Sequence, residues 1–159
     1  MEQKEMSRWL KAVIIFVGLA GLAVYICAIP MLGKEIIRHY PEFSGWFWPW
    51  MIFLWITGVP CYITLAFGWK IAVNIGKDQS FTFANADYLK KVSYLSAGDS
   101  IFFFAGNIVL WLLNMNHPGV VLCSLLVVFA GIAVVITTAA LSHLVRKAAV
   151  LQEQSDLTI

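Results

Sequence analysis

Residues 12–32 read AVIIFVGLAGLAVYICAIPML, without one charged side chain. A bilayer core about 30 Å thick takes about 20 apolar residues of helix at 1.5 Å each. A stretch this long and this apolar reads as a membrane span. A cleaved leader is not expected here. The residues before it are only weakly basic (Glu2, Lys4, Glu5, Arg8, Lys11), and CAIPMLG is a poor small-x-small cleavage site. The run also exceeds the roughly 7–15 residues of a signal core.

Three more segments meet the same test, at 47–69, 88–113 and 119–143. Nothing between them is long enough to fold alone. The expectation is one transmembrane domain over 1–159, ending in a cytoplasmic helical extension and polar tail at 144–159. The composition agrees: of 159 residues, 60% are hydrophobic and 13% charged, the latter about half the share of a soluble domain. A soluble domain of this size cannot bury so much apolar surface. That excludes a soluble enzyme, a secreted disulfide module and a disordered tail. A net charge of only +2 argues against direct nucleic-acid binding.

Orientation follows from the basic residues. With the N-terminus in the cytoplasm, the inner side holds nine of them, Lys4, Arg8, Lys11, Lys70, Lys77, Lys90, Lys91, Arg146 and Lys147, and the outer side two, Lys34 and Arg38. Short loops rich in Lys and Arg stay inside, so both termini are expected to be cytoplasmic. Trp46, Trp48, Trp50, Tyr40 and Trp111 fall at the outer boundary, and Trp9 and Trp69 at the inner one. An indole or phenol suits that level because its ring is apolar and its N–H or O–H seeks water. These residues read as interface anchors. Membrane lipid is thus the first expected partner, with Lys90, Lys91, Arg146 and Lys147 facing anionic headgroups.

The connections are also legible. Pro49 lies in the first turn of the second span, where a missing N–H costs nothing. Pro60 lies near its middle, where a kink is expected. That helix should run on to about Ile75, with Gly76 as its stop. Residues 78–85, DQSFTFAN, then form the inner turn, whose Ser, Thr and Asn offer caps, with Asp87 in the following first turn. The outer turn at 114–119, NMNHPG, is short, and short turns make neighbouring helices antiparallel. The expected fold is all-α: an integral membrane four-helix bundle running up-down-up-down.

Polar and small residues mark one face of each span. Ser93, Ser100, Asn107 and Asn114 recur every seven residues, with Ser96 on the same face. The second span carries Thr57, Cys61 and Thr64; the fourth carries Ser124, Gly131, Thr138 and Ser142; the first carries Gly18, Gly21, Cys27 and Ala28. Two readings stand at this point. A seven-residue repeat is the seam of a left-handed bundle whose helices meet through small residues. It is equally the lining of a wet or ligand-binding interior.

Asp99 sharpens the question. A carboxylate at mid-membrane costs roughly 2.5–3.5 kcal/mol. Flanking Phe, Ile, Val and Leu each return about 0.3–0.6 kcal/mol, so the span still inserts. Asp99 must face the bundle and either pair or sit neutral. No basic residue lies in any span core. Ser96, Ser100, Asn107, Thr57, Thr64 or Thr138 are the available hydrogen-bond donors. Asp99 with these residues forms the candidate ligand or ion site, against a purely structural role.

No HExxH, GxSxG, GxxxxGK or GxGxxG occurs, so no catalytic residue, cofactor or metal is expected. Cys27, Cys61 and Cys123 lie in separate apolar runs without a CxxC pair. They read as free, buried thiols acting as small hydrophobes. His39 and His117 fall in outer loops and read as solvated.

One series of features resembles a known family. The second helix closes on Ile75, Lys77, Asp78, Phe81 and Thr82; a Leu-Lys-Lys-Val-x-Tyr start follows at 89–94; the tail reads EQSDLTI at 153–159; and Glu35, Tyr40 and Pro41 mark the outer loop. In that order they resemble the small bacterial four-span membrane proteins called domain of unknown function 2975, a likeness running over nearly the whole chain. The resemblance implies a bacterial cytoplasmic membrane protein without catalytic residues. Members are often encoded beside a small helix-turn-helix regulator, which implies a regulatory or sensing partner that sequesters such a protein. The inner face, Lys77 to Lys91 and 144–159, would carry that contact. Two alternatives stay open: a small proton- or cation-linked transporter using Asp99, which four helices would need a homo-oligomer to build, and an immunity protein against a membrane-active peptide.

The topology yields a direct test. Single cysteines introduced at Lys4 and Gln152 should both react with a membrane-impermeant maleimide only from the cytoplasmic side. Labelling of the two from opposite sides overturns the four-span reading.

Overall fold

The computed structural model describes residues 2–156. The last three residues of the EQSDLTI tail lie outside them. Five α-helices make four spans: α1 (Gln3–Ala23), α2 (Ile29–His39), α3 (Phe47–Gly76), α4 (Phe83–Leu112) and α5 (Pro118–Asp156). A π-helical turn, Val24–Ala28, joins α1 to α2 into one span, and a 3-10 segment, Pro41–Trp46, leads into α3. The result is the up-down-up-down membrane bundle, with four helices long and apolar enough to cross a bilayer.

The helices overrun the expected spans. α4 starts at Phe83, capped by Thr82, whose Oγ1 accepts the Asn85 N–H at 3.3 Å. Asp87 is therefore past the first turn, and instead pairs with Arg146 at 3.7 Å on an exposed surface. α3 does end at Gly76, but no glycine has positive φ; Asp78 (φ 61°) makes the left-handed turn. Gly76 is needed for another reason: a Cβ there would sit 2.7 Å from the Ser7 hydroxyl. α5 has 39 residues, about 58 Å at 1.5 Å each, so the extension at 144–156 simply continues the fourth span.

Three seams hold the bundle. On the first, α1 and α3 run antiparallel with the small residue on alternate sides. Gly18 faces Leu65, Gly21 faces the Tyr62 hydroxyl, and Gly58 faces the Tyr25 ring. Ser7 donates to the Ala72 carbonyl at 2.7 Å and Tyr62 to the Gly18 carbonyl at 2.8 Å. On the second, Phe53 of α3 stacks on Phe103 of α4 at 6.0 Å, and a Cβ at Gly106 would overlap its ring. On the third, Ser93 of α4 donates to Val135 of α5 at 3.1 Å, and Ser142 of α5 to Ala86 of α4 at 2.7 Å. Gly131 faces Ser100 between them. Ser93 and Ser100 of the seven-residue repeat thus lie on a seam of the kind that small-residue packing makes.

A fourth seam is missing. Among the described residues no Cα of α1 or α2 comes within 8 Å of a Cα of α5. The bundle is an open row, α1–α3–α4–α5, with its ends apart.

The α4–α5 seam has no room for a branched side chain at Gly131. Gly131→Leu should destabilise the protein by about 1–3 kcal/mol through overpacking, read as a lower denaturation midpoint in detergent. Leu substitution at lipid-facing Ala133 should leave that midpoint unchanged.

Candidate functional site

The site begins with a proline. Pro30 has no N–H, so the Ile26 carbonyl one turn earlier loses its α-helical partner. The chain answers with a π-turn, in which the Ile29 N–H reaches back to the Val24 carbonyl. That leaves the Tyr25 carbonyl without a partner in its own helix: Ile29 is taken and Pro30 cannot donate. Hydrocarbon offers no substitute. The indole of Trp55 on α3 donates to it at 3.2 Å. The bulge thereby sets the Tyr25 ring against Gly58, with its hydroxyl 3.5 Å from the Thr57 Oγ1. Bulges of this kind recur at functional sites.

Beside the bulge lies a cavity of about 570 Å³, bounded by all four spans. Its polar lining comes from Tyr25, Thr57, Cys61, Tyr62, Thr64, Ser96, Asp99 and Ser100, and the rest is apolar. Asp99 Oδ2 lies 3.9 Å from the Cys61 thiol, a weak donor. Asp99 Oδ1 is buried and has no hydrogen-bond partner. Thr57 spends its own proton on the Leu54 carbonyl at 2.7 Å. A smaller cavity of about 210 Å³ lies at the outer end among Trp46, Trp50, Met51 and Met115. It lacks a charged lining residue, so the chemistry points to the cavity at Asp99.

The structure thus brings together five of the residues singled out from sequence, Asp99, Ser96, Ser100, Thr57 and Thr64, and separates two. Asn107 is fully buried at the outer end of α4. It donates to the Phe103 carbonyl at 2.9 Å and accepts from Asn116 at 3.1 Å, bracing the turn into α5. Thr138 turns back on its own helix, donating to the Val134 carbonyl at 2.7 Å. Neither lines the cavity. Asn85 plays the matching part at the inner turn, accepting from Asn74 at 2.7 Å and donating to the Gln79 carbonyl at 2.9 Å. Sequence reasoning missed Tyr25 and Trp55. Pro30 five residues after Tyr25 was the available signal.

The remaining expectations resolve as follows. The three cysteines are free but exposed, not buried, because their helix faces look into lipid or, for Cys61, into the cavity. Trp9, Trp48 and Trp111 are exposed as anchors should be, and so are Trp46 and Trp69; Trp50 is only half exposed. At the end of the bundle that carries the α3–α4 turn, Lys91 lies over the Phe67 and Tyr88 rings at 5.7 and 5.9 Å, Lys90 over Tyr94 at 5.6 Å, and Arg146 over Phe83 at 5.8 Å. Lys77 and Lys147 stand at the same end. His39 bonds the Glu35 carbonyl at 3.0 Å, and His117 Nδ1 accepts the Gly119 N–H at 3.0 Å, capping α5.

A family described as a protein of unknown function (DUF2975) matches residues 31–159. This chain belongs to that family. It is also 26% identical over 153 residues to the uncharacterized membrane protein YoaS of Bacillus subtilis (strain 168), covering 95% of this chain and 96% of the relative. No solved structure matches. The chain is thus a multi-pass membrane protein of the DUF2975 family. Asp99 and Cys61 fall inside the region matched by the family, and Tyr25 and Pro30 precede it.

Trp55→Phe removes the donor that satisfies the Tyr25 carbonyl. It should cost about 1–3 kcal/mol, the penalty of an acceptor left unbonded where hydrocarbon offers no donor, read from unfolding in a detergent–denaturant series. Trp48→Phe, at an indole 63% exposed, should shift the same midpoint by under about 0.5 kcal/mol.

Proposed function

We propose that this chain is a non-enzymatic regulatory or sensing protein of the bacterial cytoplasmic membrane, acting on a cytoplasmic protein through its inner face. One observation carries this reading: α5 is a single unbroken helix from Pro118 to Asp156. Its middle, Val127 to Val134, lines the cavity, and its far end is the polar extension bearing Arg146 and Lys147. A rigid rod of this kind ties the occupancy of the cavity to the position of a surface some turns away. The same end collects Lys77, Lys90 and Lys91, a basic face suited to acidic surface or anionic lipid. The start of α1 sits at that end too, where the Ser80 hydroxyl donates to Gln3 at 3.1 Å.

A second reading, proton- or cation-linked transport, is favoured by the buried carboxylate in the cavity. No feature of the described residues favours immunity against a toxic peptide. One experiment separates the first two. An N-terminally tagged chain, solubilised from its membrane, should capture a cytoplasmic DNA-binding regulator. Removal of 155–159 should lower capture at least tenfold while membrane levels stay unchanged. Undiminished capture, or none from the full chain, overturns the regulatory reading. Cation flux into proteoliposomes that disappears in Asp99→Asn would establish the transport reading instead.

A further inference from the structure

Asp99 is a carboxylate with half of its accepting capacity unspent. Its Oδ2 meets only a thiol at 3.9 Å, and its Oδ1 is buried without a partner. No Lys, Arg or His lines the cavity around it. An ionised carboxylate in such a place needs a counter-charge, and this chain supplies none. Asp99 therefore either sits neutral or is completed by a group from outside.

The cavity itself narrows the choice. At about 570 Å³ it is of the size that holds small organic molecules, about 300–1,000 Å³. A metal ion is poorly served, because hard cations take six or more oxygens, and no group of three or more His, Cys, Asp or Glu gathers among the described residues. The walls are apolar except near Asp99, and they include the aromatic rings of Tyr25 and Phe103, whose faces attract cations. The way in is also visible. α1 and α5 do not meet, and cavity-lining Val24 and Val127 on the two sides of that gap are 47% and 57% exposed.

We infer that this cavity binds a hydrophobic ammonium ion, an organic cation with an apolar body and at least one N–H. It enters sideways from the bilayer between α1 and α5 and pairs its N–H with the Asp99 carboxylate. The N–H is required because the carboxylate meets no donor stronger than the Cys61 thiol. The apolar body is required because the remaining wall offers little else. A paired ammonium and carboxylate are tolerated in lipid where either alone is not. The inference deepens the cavity half of the transport reading, and it holds whether or not the ligand crosses the membrane.

The probe is dansylcadaverine, a fluorescent aryl-alkyl ammonium, titrated into the purified full chain in nanodiscs. Its N-acetyl derivative serves as the neutral control. Saturable binding with a blue-shifted emission is expected for the ammonium. Asp99→Asn, which is isosteric, should weaken it at least tenfold, and the acetylated probe should bind no better than the ammonium binds to that variant. Val127→Trp, which narrows the gap and keeps the carboxylate, should slow association of the probe at least tenfold. Equal binding of the two probes, or Asp99→Asn within twofold of the parent, overturns the site. An unchanged association rate in Val127→Trp overturns the sideways entry. A stable dimer that covers the gap and excludes the probe also overturns the inference, by making the face an interface between copies. Each variant is read only as a monodisperse, fully helical sample, and loss of flux with retained binding would count against transport alone.

Discussion

Lipid supplies no water-driven force between two apolar helices, so close approach of backbones is the interaction on which this structure rests. Every seam is built where a side chain is small or absent. Gly21 lets the Tyr62 hydroxyl in beside α1, Gly106 makes room for the Phe53 ring, and Gly131 accommodates Ser100. Where backbones come this close, hydroxyls bond across to carbonyls, as Ser7, Tyr62, Ser93 and Ser142 do. Each such bond is worth little, about 0.6 kcal/mol on average in a membrane. Their value lies in register: they fix which residues oppose one another along antiparallel helices that lipid alone would let slide. The two turns are held by the same means, with Asn85 bridging the inner one and Asn107 the outer one.

The spans, the up-down-up-down order and the small-residue seams were legible in the chain because all three follow from local composition. A run such as 12–32 has no other stable solvent, and a serine every seven residues can only form one stripe. What was not legible depended on pairing between distant helices. Asn107 and Ser100 lie on the same stripe, yet one braces a turn and the other lines a cavity, because the outer turn brings Asn116 within reach of Asn107 alone. Thr138 shares spacing with Ser142, but it bonds Val134 in its own helix while Ser142 reaches across to Ala86. The π-turn is an intermediate case. The lost donor at Pro30 could be read directly, but its remedy by Trp55, thirty positions from Tyr25, could not.

The same physics explains why the cavity survives. A bundle that closed α1 on α5 would bury it, and those two helices could then exchange small residues as the other pairs do. Instead α5 presents Leu126, Phe129 and Ile136 outward, exposed to lipid, and the interrupted first span carries Tyr25 toward α3. Asp99 is left facing a space with one open side. An acceptor buried without a donor carries a penalty of about 1–3 kcal/mol, added to the cost of placing a carboxylate in the membrane at all. That penalty is a property of the empty protein. A ligand that donates to the carboxylate lowers that penalty on binding, a gain in affinity of at most about five- to 150-fold by the same free energy. The unsatisfied carboxylate thus weakens the fold, and a neutral molecule of the same shape, though it can donate a hydrogen bond, brings no counter-charge.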